Sequence, residues 1–245
     1  MRQTEKTAII TGSGRGIGRE TAILLAKSGV NVVICSKTNS EINSVKEEIE
    51  KVNSESRVVG VNCDVSLSYQ VNSLIQLTIE KFGNVDILVN NAGVAFNKKL
   101  VYASEKEWDQ TINTNLKGAF LFTKAVLPSM IAKRSGVIIN VNSGAGMVGF
   151  SNLSAYCASK FGLRGLAESV SLEVDRYNIR LMTIFLGQVA TRMWEEFDYG
   201  YYEKNRGKML NAQDVGKKIV EMIFDTKKYK NGESIEMYNT LKTLD

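Results

Sequence analysis

Tyr156 and Lys160 stand four apart in "SNLSAYCASK". On a helix that spacing puts both side chains on one face. Such a pair suits proton transfer to a carbonyl or from an alcohol. A free tyrosine titrates at roughly pH 10, and lowering that by about three units takes about 4 kcal/mol of differential stabilisation. A neighbouring ammonium supplies part of it by favouring the phenolate. The plainer alternative is a surface aromatic with a nearby lysine, because Y-x-x-x-K often arises by chance. Ser143 lies upstream in "NVNSGAG". Its hydroxyl can orient a carbonyl, or simply serve a turn. It does not sit on a G-x-S-x-G nucleophile elbow, since Val141 takes the first glycine position.

The chain of 245 residues contains no histidine. Ser-His-Asp and Cys-His mechanisms are therefore excluded, as are histidine metal sites. Acid–base work near neutral pH falls to a perturbed Tyr, Lys, Cys, Asp or Glu. Cys35, Cys63 and Cys157 are odd in number and far apart in sequence, with neither a disulfide framework nor a metal-ligand spacing. No metal is expected, and a reducing cytoplasm fits. The net charge of +5 comes from scattered pairs such as Lys98-Lys99 and Lys217-Lys218, with "KKYK" at 227–230 the densest. These read as a solvated face, or as a mild attraction for a phosphate-bearing ligand. No long basic stripe points to nucleic acid. No apolar run approaches the roughly 18 residues of a membrane span, and no secretory leader is visible. Neither a nucleic-acid partner nor a membrane is expected.

"TGSGRGIG" (11–18) follows the apolar run "TAIIT" (7–11). Gly12, Gly16 and Gly18 make G-x-x-x-G-x-G, with Gly14 extra, and no P-loop Gly-Lys-Ser/Thr follows. A loose turn is the bland alternative. Between a strand and a helix, however, such bare backbone can approach a pyrophosphate closely, while the helix start offers free N–H groups. The second strand ends "CSK". An acid there would bond the ribose 2′-hydroxyl of NAD. Ser36 and Lys37 stand in its place and Arg15 lies in the glycine loop. Two cations and no anion predict the 2′-phosphate of NADP(H).

Val- and Ile-rich runs alternate with amphipathic stretches throughout. Strands are expected at 7–11, 31–36, 57–62, 86–90, 136–141, 179–185 and 233–237. Helices are expected at 16–28 with Gly29 past the end, from a Ser40 cap to 52, at 68–82, 104–133 (kinked at Pro128), 154–176 and 211–225. Strands without polar alternation suit a parallel sheet covered on both faces. The expectation is an α/β fold: a Rossmann-type doubly wound parallel sheet of about seven strands with helices on both faces. It reads as a single domain over 1–245, with a cofactor half to about 140 and a catalytic and substrate half from about 141.

Taken together, "TGSGRGIG", "NNAG" (90–93), "NTNLKG" (113–118), Ser143 and "YCASK" (156–160) resemble the short-chain dehydrogenase/reductase family in order and spacing over nearly the whole chain. The resemblance is to NADP-dependent 3-oxoacyl reductases and related carbonyl reductases. It implies that Tyr156 donates the proton in reduction and that Lys160 holds the nicotinamide ribose and lowers the Tyr156 pKa. Ser143 would polarise the carbonyl and Asn115 would hold a relay water. The implied cofactor contacts continue with Ile17 beside the glycine loop, Asp64 at the adenine and Val65 next to it. Asn91, Ala92 and Gly93 would line the adenosine side, and Gly187, Val189 and Thr191 the nicotinamide side. A homotetramer or homodimer is implied too.

Two features depart from the family pattern. Leu186-Gly187 replaces Pro-Gly after strand six, and the C-terminal "NGESIEMYNTLKTLD" lacks the Thr-Gly … Gly-Gly of carrier-protein reductases. The expected reaction is interconversion of a ketone and a secondary alcohol. A 3-oxoacyl thioester or 3-oxo/3-hydroxy acid leads as substrate, with a small ketone, diketone or sugar as the alternative. A non-catalytic NADP-binding sensor is the alternative from another class. Residues 192–210 carry Trp194, Phe197, Tyr199, Tyr201 and Tyr202 among Glu195, Glu196 and Asp198. They form either a lid, at about 190–210, or a packing or subunit contact. Phe96, Met147 and Phe150 are expected at the same mouth.

Overall fold

The computed structural model describes residues 6–52 and 57–238. The C-terminal departure beyond Tyr238 therefore lies outside the described residues. In chain order the elements are β1 (Thr7–Thr11), α1 (Gly16–Lys27), β2 (Asn31–Ser36), α2 (Asn39–Val52), β3 (Val58–Asn62), α3 (Ser68–Phe82) and β4 (Ile87–Asn90). There follow α4 (Glu105–Ile112), α5 (Gly118–Lys133), β5 (Gly136–Ser143), α6 (Ser154–Val174) and β6 (Ile179–Leu186). The chain continues with α7 (Arg192–Phe197), α8 (Tyr199–Asn205), α9 (Ala212–Phe224) and β7 (Ser234–Met237). The seven strands form one sheet in the order β3-β2-β1-β4-β5-β6-β7. Every pairing is parallel. The expected doubly wound α/β sheet is what the chain forms.

The unbroken apolar strands serve two cores at once, because successive side chains point to opposite faces. Ala8, Ile10, Val32, Ile34, Ile87 and Val89 join one cluster with Leu25 of α1, Ile42 of α2 and Ile219 of α9. Ile9, Val33 and Leu88 join the other with Leu74 of α3, Phe122 of α5 and Ala167 of α6. No strand has a solvent face in the middle of the sheet, so none alternates with polar residues. Among the described residues no helix is long and apolar enough to cross a membrane.

Three local details refine these expectations. Residues 105–133 are helical throughout, as expected, but the irregularity lies at a π turn and not at Pro128. Ser104 caps α4 through a capping box with Glu107, a π-helical turn spans Asn113–Lys117, and α5 runs on through Pro128. The π turn widens the helix locally without ending it. Ser40 lies inside α2, which already starts at Asn39. The stretch after β6 folds into two short helices, α7 and α8.

The strand order reverses between β1 and β4, and a crevice opens at their carboxyl ends. Side chains close the backbone there. The Thr11 hydroxyl donates to Val89 O at 3.3 Å and accepts from the amides of Asn91 at 2.9 Å and Ala92 at 3.0 Å. Asn91 Nδ2 returns bonds to Thr11 O at 2.9 Å and Gly12 O at 3.1 Å. Ser13, fully buried, donates to Ile10 O at 2.9 Å and accepts from Cys35 N at 2.8 Å. Thr11→Val keeps the shape but strips two amides of their acceptor. It should cost about 1–3 kcal/mol, read as a lower urea midpoint at unchanged slope. Wild-type stability in the variant would mean that those amides are satisfied without Thr11.

Candidate active site

A cleft of about 400 Å3 lies over the crevice. Its floor is the turn from β1 to α1, where Gly12, Gly14, Arg15, Gly16 and Ile17 line the wall. Gly12 takes φ +63° and Gly16 φ +57°, backbone that favours glycine. A Cβ on Gly12 would stand 2.8 Å from Ala92 Cα. Gly18 does not line the cleft, and it packs beneath the loop. A Cβ there would stand 2.5 Å from Gly12 O and from Asn91 Nδ2. The start of α1 has no side-chain cap and no acid in its first turn. A close-approach backbone ending in free helical N–H groups fits the pyrophosphate of a dinucleotide.

Ser36, Lys37 and Val65 continue the wall on one side, and Asn91, Ala92 and Gly93 on the other. Gly187, Val189 and Thr191 line it beyond β6. Asp64 is not among the lining residues. Burial acts against its charge, but bonds from the Ser66 hydroxyl and amide and the nearby Lys37 outweigh that and hold its carboxyl below the ordinary range. Lys37 Nζ bonds Asp64 Oδ2 at 3.3 Å. The sequence picture of two cations without an anion is therefore corrected. Lys37 faces Asp64, and Arg15 faces Glu41 at 3.4 Å. Glu41 lines the cleft and was not anticipated. The missed signal was its place in the first turn of α2, close behind Ser36. Cys35 and Cys63, distant in sequence, also meet on this wall. Hydrogen bonding to Cys63, with burial, pushes the Cys35 thiol up.

The opposite end of the cleft brings Ser143, Tyr156 and Lys160 together. Ser143 ends β5, and its hydroxyl accepts from Ala145 N at 3.2 Å. It is thus a turn serine that also faces the cleft. Lys160 is buried, and Nζ donates to Val141 O at 2.9 Å. It lies 5.7 Å from the centre of the Tyr156 ring. The protein's own groups do not by themselves lower Tyr156. Burial pushes Tyr156 up to about 12, and only the Ser143 hydroxyl pulls it down. Burial also brings Lys160 down to about 8. Both groups are desolvated, and desolvation favours the neutral form of each.

Asn115 stands behind the cleft wall rather than in it. It sits in the π turn, accepts from Val94 N at 2.8 Å, and donates to Val94 O at 2.9 Å and to Ser159 Oγ at 3.0 Å. Ser159 in turn donates to Tyr156 O at 2.7 Å. Asn115 therefore joins the loop after β4 to the second turn of α6. Phe150, Leu153, Met193, Trp194, Phe197 and Tyr238 give this end an apolar wall. Phe96 and Met147 do not line it; Tyr238 donates to Met147 Sδ at 3.2 Å. Of the aromatic stretch, Trp194 and Phe197 face the cleft, and Tyr201 packs on Trp194 and bonds Gln188.

The short chain dehydrogenase family model matches residues 6–201. The chain is 34% identical over 242 residues to the trans-4-hydroxycyclohexanecarboxylate dehydrogenase of Sinomonas cyclohexanicum, covering 96% of this chain and 92% of that protein. It is 32% identical over 244 residues to the 3-oxoacyl-[acyl-carrier-protein] reductase of Thermotoga maritima, covering 96% and 97%. The crystal structure of a levodione reductase superposes with a TM-score of 0.89 at 27% identity, covering 95% of this chain and 96% of that one. The chain belongs to the short-chain dehydrogenase family, whose members are oxidoreductases that bind a nicotinamide cofactor and act on alcohol and ketone groups.

The depressed lysine makes a pH signature. The folded Lys160 value is about 8, against about 10.4 unfolded. Between these, the unfolded chain binds more protons, so stability rises with pH. From pH 7 to 10 the wild type should gain about 1–3 kcal/mol relative to Lys160→Met, measured by urea unfolding. A constant difference across that range would return Lys160 to its ordinary value.

Proposed function

Proceeding from that membership, we infer that this chain is an NADP(H)-dependent oxidoreductase that interconverts a ketone and a secondary alcohol. The observation that carries the reading is the convergence of Ser143, Tyr156 and Lys160 on one wall of the cleft whose floor is the glycine loop. Arg15, Lys37 and Ser36 would hold the adenosine ribose and its 2′-phosphate. Lys160 would hold the nicotinamide ribose. Val189 and Thr191 would meet the amide. When bound, the nicotinamide supplies or accepts the hydride.

The remaining steps belong to side chains. The Ser143 hydroxyl orients the substrate carbonyl toward Tyr156. Burial keeps the proton on Tyr156, so its phenol is the donor when a ketone is reduced and the acceptor when an alcohol is oxidised. At neutral pH Lys160 still carries its charge, being below its value of about 8, and that charge stabilises the phenolate formed after donation. Asn115 fixes Val94 and Ser159 around this centre and holds the relay water. An intact set of these residues argues against a cofactor sensor, which needs no proton relay.

A 3-oxoacyl thioester or 3-oxo/3-hydroxy acid is the leading substrate class, in line with the 3-oxoacyl reductase similarity. A ring ketone is the second reading. The flat apolar wall of Phe150, Trp194, Phe197 and Tyr238 favours it, as does the relative named for a hydroxycyclohexanecarboxylate. A homodimer or homotetramer completes the picture, built on apolar side chains exposed on α4 to α6, among them Trp108, Phe120 and Phe161. The free thiols of all three cysteines fit the cytoplasm.

The test is NADPH and NADH consumption against acyl thioesters, 3-oxo acids and cyclic ketones, run with wild type and Tyr156→Phe. The variant should lose about 100- to 10,000-fold in kcat, the worth of a positioned acid–base group, with NADPH binding retained. Wild-type turnover by the variant would remove Tyr156 from the mechanism.

A further inference from the structure

Glu41 sits in the first turn of α2, and its carboxylate reaches back over the glycine loop. Oε2 accepts from the Ser36 hydroxyl at 3.3 Å. Oε1 pairs with Arg15 Nη1 at 3.4 Å and with Arg192 Nη1 at 3.8 Å. A Cβ on Gly14 would stand 2.7 Å from Oε2, so the bare Gly14 is what leaves room for the carboxylate. Glu196 of α7 closes the cluster, at 3.8 Å from Arg15 Nη2 and 2.7 Å from Arg192 Nε. Two guanidiniums and two carboxylates thus balance. The Glu41 side chain is 21% exposed, whereas its three partners are 47% to 60% exposed. Glu41 is the inner member, nearest the cleft.

Ser36 and Arg15 are the groups a ribose 2′-phosphate needs, and both are engaged by Glu41. We propose that Glu41 is a specificity-determining residue, an internal anion standing where the 2′-phosphate of NADP(H) must go and able to accept the free 2′-hydroxyl of NAD(H). This rests on the reading that Arg15 and Ser36 face the adenosine ribose. A phosphate can enter only if the carboxylate swings off Ser36 and Arg15, or if two anions share the pocket. A 2′-hydroxyl donates to the carboxylate where it already lies. Discrimination is therefore set by Glu41 against Arg15, and the cations alone overstate the preference for NADP(H).

The experiment is the dissociation constant of NADPH and of NADH, by nucleotide fluorescence, for full-length wild type, Glu41→Gln, Glu50→Gln and Arg15→Ala. Glu50 lies on the same helix, beside Lys46 and away from the cleft, and controls for net charge. Glu41→Gln should tighten NADPH by about five- to tenfold, the scale of a solvent-screened charge repulsion, and leave NADH unchanged or weaker. Glu50→Gln should leave the NADPH-to-NADH ratio alone. An unchanged ratio in Glu41→Gln, or an equal shift in Glu50→Gln, overturns the inference while Arg15→Ala still weakens NADPH. NADPH affinity untouched by Arg15→Ala overturns the underlying phosphate reading, and the inference with it.

Discussion

The structure depends on how the backbone is satisfied where β1 and β4 part. At a strand-order reversal two neighbouring strands leave their sheet in different directions, and the amides just past them lose ladder partners. A buried amide without a partner is costly. One hydroxyl, that of Thr11, takes two such amides and returns a proton to Val89 O. Asn91 then ties the loop after β4 to the backbone of Thr11 and Gly12. The glycine loop is therefore not floppy despite its composition. It is held from below by side chains, which leaves its upper surface as bare backbone for a ligand. A residue with a side chain at Gly12 would strike Ala92 on the strand side, so the same contact that fixes the loop also demands glycine there.

The acid–base end follows a related logic. Lys160 and Tyr156 come from one face of α6, as the spacing requires, but they do not hydrogen-bond each other in the described structure. Lys160 is anchored on Val141 O, and Asn142 Nδ2 holds Lys160 O at 3.1 Å. β5 thus grips α6 at the lysine from both sides. The burial that fixes this geometry favours neutral forms, raising the phenol and lowering the ammonium. A site so arranged holds its proton on tyrosine until negative charge starts to develop on a bound group, and then has a cation at hand.

Much of this was legible from residue order. Continuous Val/Ile runs follow directly from a sheet with a core on each face, and the glycine spacing follows from a loop that must approach a ligand. What was not legible depends on distance through space. Ser13 reads as one more loop residue, yet it is fully buried and staples β1 to β2. Asn115 lies in a π turn, and helix propensity does not distinguish that from an ordinary helix. Glu41 hid for a different reason. The end of β2 itself carries no acid, whereas a glutamate in the first turn of α2 delivers its carboxylate to the same place. Lys37 and Arg15 were judged as free cations because their partners, Asp64 and Glu41, are far away in the chain.

The segment after β6 shows how weak and strong forces divide the work. Its ion pairs to the rim, Arg192 with Glu41 and Arg15 with Glu196, are long and largely exposed. Pairs of that kind contribute about 0–1 kcal/mol each. They cannot by themselves hold α7 in position. Its shape comes from Trp194, packed edge-on to Phe197 at 5.2 Å and tilted against Tyr201 at 5.8 Å, with Tyr201 bonded to Gln188 at 2.9 Å. A backbone bridge between Val189 and Leu210 ties the two ends of the segment together. The aromatic cluster therefore makes α7 and α8 one body, and Phe197 seats that body against the buried cluster of Ala145, Leu153 and Cys157. Arg15 and Arg192 each pair with both Glu41 and Glu196, so the rim charges join α7 to the glycine loop and α2.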